Sequence, residues 1–277
     1  MERHSLGQRI SLALVCVSFL ATTILFAIRA EYAFPVRAAQ LLIACPSAWI
    51  LGASRMIRGP QDSQKLAVAG SLLITPWILF ALLSGFGRPD QASASENLAR
   101  YIVLFVSAIA VGGGLIVLSE ALGDAGERLF SALGFAAIAM ASPVYLIWAS
   151  LALDYSSWRA QAGNQHIPPE MLSLAIWSEI VLFIGGLLTY LSTAAFAASL
   201  RRVLWLGRSP ALAMIVLSLM AALLLALRGL SFPDPRAAFT SWYLTAGWIV
   251  GIPAIPWMIP CVMGVVLLWR AGASQSQ

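Results

Sequence analysis

The acidic residue Glu179 interrupts an otherwise apolar and uncharged stretch, Met171–Leu200. A charged side chain at the centre of a bilayer costs at least about 2.5–3.5 kcal/mol, and such residues usually mark ion, proton or substrate pathways. Glu179 is therefore a candidate intramembrane carboxyl that binds a solute or carries a proton. The alternative is a protonated or arginine-paired side chain near the interface, with Arg100 and Arg228 as candidate partners on the same predicted side of the membrane.

A second polar group lies in the segment 154–170, the longest and most polar connection in the chain. This candidate outer-loop cluster consists of Asp154, Arg159, His166 and Glu170. Histidine and carboxylate side chains coordinate metals and transfer protons, but a catalytic zinc normally has three protein ligands, so no metal site is predicted. Pro168 and Pro169 predict the start of a helix with Glu170 near its positive end. The alternative interpretation of the cluster is a solvated loop.

The last apolar stretch, Ala237–Trp269, is rich in residues that disturb helices. The candidate positions for a broken helix are Gly251, Pro253, Pro256 and Pro260. Proline removes a backbone donor and clashes with the preceding turn, and several transporters use discontinuous helices near the bilayer midplane to contact a solute. The alternative is a kinked but continuous helix whose free backbone groups are satisfied by its neighbours.

Residues that would hold a cofactor are scarce. The three cysteines lie inside apolar stretches at spacings that match no metal or redox pattern. His4 and His166 are the two histidines, and they are predicted on opposite sides of the membrane, so they cannot bind one haem together. No cofactor is predicted.

The elements that position these residues follow from composition. Only 10% of the 277 residues are charged and 60% are hydrophobic, whereas a soluble domain is about a quarter charged. The net charge of +5 comes from arginines scattered between apolar stretches, which excludes a nucleic-acid surface and favours charges that flank membrane spans. The predicted partner is therefore the lipid bilayer, with other membrane subunits as a further possibility.

Eight uncharged stretches are each long enough to cross the hydrocarbon core once, which takes about 20 residues of helix. They are Ile10–Ile28, Ala38–Ser54, Leu66–Gly87, Tyr101–Ser119, Leu129–Leu153, Met171–Leu200 with its one glutamate, Ser209–Leu227 and Ala237–Trp269. They are too long and too uniformly apolar for barrel strands, and backbone groups in lipid must be bonded within the segment. The prediction is an all-α polytopic bundle of about eight spans, several of them kinked by proline.

Orientation follows from the distribution of lysine and arginine. With the N-terminus in the cytoplasm, ten of these residues lie on the inner side and seven on the outer side, which favours both termini inside. Residues 1–270 are predicted to form a single domain, and residues 271–277 a disordered tail. The predicted location is a bacterial inner membrane.

Three functional hypotheses fit these features. The first is permease-like or channel-like handling of a small solute or lipid. The second is a membrane enzyme whose outer-face site contains His166, Glu170 and Glu179. The third is a non-catalytic subunit or assembly factor of a membrane complex. Because no catalytic signature is present, enzymatic activity is the less favoured choice.

Overall fold

The fold is described here from a computed structural model, which covers residues 6–27, 33–83, 86, 93–162, 168–230 and 254–273. Within these ranges the chain is almost wholly helical and contains no strand. The predicted all-α class is therefore confirmed for the described part of the chain.

Nine α-helices follow one another in the described ranges. They are α1 Leu6–Ala27, α2 Ala33–Ala48, α3 Arg55–Arg58, α4 Gln61–Phe80, α5 Ala94–Asp124, α6 Leu129–Ala162, α7 Pro169–Arg202, α8 Arg208–Leu230 and α9 Ala254–Ala273. A π-helical turn, Trp49–Ala53, joins α2 to α3, and a 3-10 turn, Ala81–Leu83, continues α4. As predicted, α7 begins at Pro169 and carries Glu170 in its first turn.

Among the described residues, seven helical segments are long and apolar enough to cross a membrane. They are Val36–Arg58, Gln61–Leu83, Ala94–Asp124, Leu129–Arg159, Ile180–Arg202, Arg208–Leu227 and Pro256–Ala273. Helix α1 is also apolar, and its segment Leu6–Ala21 is shorter than the seven. The chain thus has the helices of a multi-pass membrane protein, while the count of eight spans and the positions of the termini stay predictions.

Helices α5 to α8 are longer than the uncharged stretches that predicted them. Helix α5 has 31 residues and α6 has 34, although about 20 residues cross the hydrocarbon core. At about 1.5 Å per residue, α5 is about 46 Å long. Charged residues end a span because they avoid lipid, but they do not end a helix, which continues into the headgroup region.

The chain divides into two compact units. Unit 1 comprises Met1–Ala121 with Cys261–Gln277, and unit 2 comprises Leu122–Pro260. The division falls inside α5 and α9, so each of these helices contributes to both units. In unit 2, α7 packs against both α6 and α8.

Unit 1 is held together by direct contact of helix backbones. A Cβ atom added to Gly70 of α4 would lie 2.8 Å from the carbonyl oxygen of Gly264 in α9, and a Cβ added to Gly264 would lie 2.8 Å from that of Gly70. Small residues of this kind let membrane helices approach closely, since packing rather than hydrophobicity drives helix association in lipid.

Prolines lie inside four helices, as the sequence predicts. They are Pro46 in α2, Pro76 in α4, Pro143 in α6 and Pro260 in α9. Of the candidate broken helix, Pro256 and Pro260 belong to α9, while Gly251 and Pro253 lie outside the described residues. The break in the last span therefore stays a prediction.

The C-terminal end of α9 differs from the predicted tail. The helix continues to Ala273, and Ala271 and Ala273 are both buried in unit 1. Packing of these small side chains explains why the helix extends three residues beyond Arg270. Residues 274–277 lie outside the described part of the chain.

Candidate functional site

The predicted intramembrane pairing involves side chains that are not described. The backbones of Glu179 and Arg228 belong to α7 and α8, but their side chains lie outside the described residues, as does all of His166. Pairing of Glu179 with an arginine stays a prediction.

Arg100, the other candidate partner, has contacts within its own unit. Its guanidinium group donates a hydrogen bond to Asn97 Oδ1 one turn earlier in α5. The guanidinium carbon lies 6.0 Å from the centre of the Phe86 ring, and that of Arg37 lies 4.9 Å from the same ring. Two cation–π contacts of this kind stabilise the end of unit 1 where Arg37 and Arg100 lie.

The described members of the outer-loop cluster are solvent-accessible side chains at helix ends. Asp154 and Arg159 lie exposed in the last three turns of α6, and Glu170 lies exposed in the first turn of α7. None of these three forms an ion pair with another described residue. Across the described ranges, no three His, Cys, Asp or Glu side chains are grouped as metal ligands.

Five hydroxyl-bearing residues of unit 2 form a group that the sequence did not predict. This mid-span hydroxyl group consists of Tyr145 in α6, Thr189, Tyr190 and Ser192 in α7, and Ser218 in α8. Each residue lies near the middle of its membrane-spanning segment, Leu129–Arg159, Ile180–Arg202 or Arg208–Leu227. None is more than 2% exposed. The group therefore places polar atoms at the depth where lipid offers no hydrogen bonds.

Glycines in α6 and α7 allow these side chains to be enclosed. The Tyr145 ring lies only 3.3 Å from where a Cβ of Gly185 would stand, and the Phe196 ring lies 2.9 Å from the same point at Gly134. On the neighbouring face, the Leu225 side chain from α8 lies 3.0 Å from that point at Gly186. A side chain at any of these glycines would push α6 or α8 away from α7.

Three members of the mid-span hydroxyl group have hydrogen-bond partners. Thr189 Oγ1 donates to the carbonyl oxygen of Gly185 at 2.8 Å and lies 3.3 Å from the Tyr145 hydroxyl oxygen. Ser192 Oγ donates across to the carbonyl oxygen of Gly134 in α6, also at 2.8 Å. These bonds connect α6 to α7 through polar contacts that water cannot replace.

The other two members have no such partner. The hydroxyl oxygens of Tyr190 and Ser218 each expose less than 1 Å² and make no hydrogen bond with any described residue. Tyr190 packs against Ala222 and Leu225 of α8. Since Ser218 lies four residues before Ala222 and seven before Leu225, it lies on the α8 face that contacts Tyr190. Both residues thus belong to the α7–α8 contact.

A second polar cluster lies in unit 2, at the predicted cytoplasmic end. Both oxygens of its carboxylate have hydrogen-bond partners. This carboxylate cluster consists of Glu127, Phe130, Ser131, Ser199 and Arg202. Glu127 Oε1 accepts a hydrogen bond from the Phe130 N–H at 3.1 Å, and Oε2 accepts from the Ser131 N–H at 2.9 Å. Oε2 also accepts from Ser199 Oγ of α7 at 2.7 Å. The carboxylate therefore caps the start of α6, whose first N–H groups have no partner within the helix, and links it to α7.

Electrostatics in the carboxylate cluster favour the ionised form of Glu127. Burial alone would raise the pKa of this carboxyl, which is only 6% exposed. The hydrogen bonds from Ser199, Phe130 and Ser131, together with the charge of Arg202 at 3.8 Å, outweigh burial and lower the pKa below its ordinary value. The Arg202 guanidinium also stacks 5.3 Å from the centre of the Phe130 ring.

A small cavity of about 20 Å³ lies beside α1, α2 and α4 of unit 1. Its walls are almost wholly apolar and include Phe19, Ile74 and Trp77. This volume accommodates about one water molecule. A polar solute larger than water has no matching surface there.

Comparison with known proteins identifies no relative: no family model, no curated protein and no solved structure matches the chain. The function must therefore be argued from the geometry of these two units.

Sequence reasoning missed the residues that carry most of this geometry. Serine, threonine and tyrosine are common in membrane helices, and burial without a partner, which Tyr190 and Ser218 share with Ser71 and Ser107 of unit 1, is visible only in a structure. Glu127 had a usable signal, since an acid just before an apolar helix can bond the helix N-terminus. It is one of three acidic residues in the connection 120–128, and acidic residues carry little weight in predicting orientation.

Proposed function

We propose that this chain is a permease-like or channel-like protein of a bacterial inner membrane, with both termini cytoplasmic, and that unit 2 moves a small solute. One observation carries the proposal: the hydroxyls of Tyr190 in α7 and Ser218 in α8 are buried near the middle of two candidate spans and have no described hydrogen-bond partner. A solute bound between the two helices would satisfy both groups.

The energetic argument rests on the cost of leaving these groups unpaired. A buried donor or acceptor without a partner costs about 1–3 kcal/mol, so the pair Tyr190 and Ser218 costs about 2–6 kcal/mol in this conformation. Phenylalanine and alanine would fill nearly the same space without that cost. Native proteins rarely retain unsatisfied groups, and those retained call for an explanation such as a functional role.

The conformation described is closed around these oxygens, because each exposes less than 1 Å². Solute access therefore requires α7 and α8 to separate at the contact between Tyr190 and Ala222. Small sliding or rocking movements of packed helices are the usual means of alternating access. The small side chains of Ala221 and Ala222 leave few interlocking atoms to resist such a movement.

Glu179 adds a sequence-based element to the proposal. It lies in α7, the helix that also carries Tyr190. We expect its carboxyl to couple proton movement to solute movement. Replacing it by glutamine should abolish flux or its dependence on a proton gradient while the protein still inserts normally. Unchanged flux in Glu179→Gln would contradict this role and leave the hydroxyl site standing.

The central test measures permeability of purified protein in lipid vesicles to a panel of small probes: glycerol, urea, sodium and chloride. At least one probe should cross faster than in protein-free vesicles, and the double variant Tyr190→Phe with Ser218→Ala should remove that difference. The matched control is Tyr155→Phe with Ser150→Ala. It deletes the same two hydroxyls from α6, where Ser150 is exposed and bonded to its own helix.

Two results would overturn the proposal. One is a protein that passes no probe at all while remaining folded. The other is a permeability that the double variant and its control leave equally intact. A protein that passes no probe and always co-purifies with fixed membrane partners would instead support the subunit hypothesis.

A further inference from the structure

We infer that the solute bound between Tyr190 and Ser218 is a small neutral molecule bearing hydroxyl groups, of the polyol class. This inference rests on the proposed function and specifies its substrate. The observations behind it are the chemistry of the two unsatisfied groups, the lack of charge at their depth, and the apolar surface around them.

Charge at this depth is absent from the sequence itself. Residues 129–153, 180–200 and 209–227, which form the central parts of the three spans, contain no acidic or basic residue. Pores and transporters that select ions present rings of charged side chains or of backbone carbonyls to them. The mid-span hydroxyl group presents neither, because its Gly185 and Gly134 carbonyls already accept hydrogen bonds from Thr189 and Ser192.

The number of available ligands also excludes a bare cation. Hard cations such as magnesium and calcium take about six or more oxygen ligands. Tyr190 and Ser218 supply two oxygens between them, and the three other hydroxyls of the group are engaged in bonds to helix carbonyls or to each other. An anion could accept hydrogen bonds from the two hydroxyls, but the central parts of these three spans contain no lysine or arginine to balance its charge.

A neutral hydroxyl matches the two free groups in both directions. Each of the Tyr190 and Ser218 hydroxyls can donate one hydrogen bond and accept at least one, and so can each hydroxyl of a polyol. Two such hydrogen bonds would replace those that the solute makes with water. They would bring no charge into the span. A molecule with two neighbouring hydroxyls can therefore satisfy both Tyr190 and Ser218 at once.

The surrounding surface fits the carbon side of such a molecule. Tyr190 is enclosed by Phe183, Leu187, Ala221, Ala222 and Leu225. These apolar side chains can contact the methylene groups of a short polyol after α7 and α8 separate.

The test uses glycerol as the neutral probe and sodium and chloride as charged probes. Proteoliposomes are mixed rapidly with a glycerol gradient, and swelling is followed by light scattering. Uptake of the two ions is followed by isotope counting in the same preparation. Glycerol should cross faster than in protein-free vesicles, and neither ion should.

Single variants locate the site. Tyr190→Phe and Ser218→Ala should each lower glycerol permeability by about 2- to 12-fold, the range expected for one hydrogen bond. Tyr155→Phe and Ser150→Ala should leave it unchanged. Because Tyr190→Phe keeps the shape of the ring, loss of folding is not expected, and thermal melting followed by tryptophan fluorescence verifies this for each variant.

The outcomes separate this inference from the proposed function. If sodium or chloride crosses and glycerol does not, the substrate class is wrong and the permease proposal survives. If glycerol crosses equally well in Tyr190→Phe and Ser218→Ala, the assigned site is wrong. If no probe crosses, both are overturned.

Discussion

Unit 2 holds two buried polar clusters that are built in opposite ways. In the carboxylate cluster, Glu127 accepts three hydrogen bonds and faces the charge of Arg202, so that both carboxylate oxygens have partners. In the mid-span hydroxyl group, Tyr190 and Ser218 have none within the described chain. Both clusters include residues of α7, about two turns apart, between Ser192 and Ser199. The two clusters are buried to a similar extent, but Tyr190 and Ser218 lack the hydrogen bonds that stabilise Glu127.

The difference indicates what each cluster does. Bonds that are complete in the closed protein stabilise that state and leave nothing for a ligand to add. Groups that lack partners raise the free energy of the closed state. A ligand that forms hydrogen bonds to them removes that cost, which favours binding. We therefore assign the carboxylate cluster to folding and the α7–α8 hydroxyls to solute binding. The following predictions test this assignment from the largest expected effect to the smallest.

Removing the central carboxylate should have the largest effect on stability. Glu127→Ala deletes a helix cap, worth about 0.5–2 kcal/mol, and a charge-assisted bond from Ser199, worth about 1.5–3 kcal/mol. We expect the free energy of unfolding to fall by about 2–4 kcal/mol, measured by denaturation in detergent micelles. Solute flux in the surviving folded protein should stay unchanged.

The control for that variant is Glu120→Ala. Glu120 is 65% exposed and pairs with Lys65 at 2.7 Å, and an exposed ion pair contributes less than about 1 kcal/mol. A loss in Glu120→Ala as large as that in Glu127→Ala would show that any acid near this end matters equally. The contrast between the two clusters would then reflect the charge of Glu127 and not its hydrogen bonds.

Acid should weaken the carboxylate cluster and leave the hydroxyl group unaffected. Since the folded pKa of Glu127 is below its ordinary value, its contribution is complete above the unfolded pKa, about 4.3. It is lost as the pH falls from there through the folded pKa. Melting temperatures of the wild type and Glu127→Gln should therefore differ most above about pH 5 and converge in stronger acid.

A second variant sharpens the pH prediction. Ser199→Ala removes one of the bonds that lower the pKa of Glu127, so the stability lost in acid should be smaller than in the wild type and its loss should be complete at a higher pH. An identical acid profile in Ser199→Ala and the wild type would contradict the role given to this bond.

The smallest predicted effect has the opposite sign. Tyr190→Phe removes an unsatisfied buried hydroxyl and should raise the free energy of unfolding by about 1 kcal/mol while lowering solute flux. Thermal melting and vesicle permeability on one preparation measure both. Loss of stability in Tyr190→Phe would mean that the hydroxyl has a partner in the folded protein, and the contrast with Glu127 would disappear.

The membrane class and the helix positions could be predicted without a structure. An uncharged stretch such as Leu129–Leu153 can exist only in lipid, and in lipid its backbone must bond to itself. Pro143 and Pro260 were likewise expected inside helices, and they lie there. Helix ends were predicted less well, because α5 and α6 continue past charged residues that end the lipid-facing part but not the helix.

The candidate site could not be predicted in the same way. Glu179 stands out because charge is rare in an apolar stretch, whereas Tyr190 and Ser218 resemble many other hydroxyl residues of membrane helices. Whether a hydroxyl bonds its own helix, as Thr189 does, or stays unsatisfied depends on the neighbouring helix.

Sequence by itself therefore determined the medium, the helical class and the approximate limits of the spans, because these follow from the hydrophobicity of consecutive residues. Tertiary structure alone decided that Glu127 is a buried cap bound by Ser199, 72 residues later, and that Tyr190 faces α8 without a partner. Hydrogen bonding between helices depends on distances and angles across the bundle, and these are set by how the glycines and alanines of α6, α7 and α8 let the helices approach.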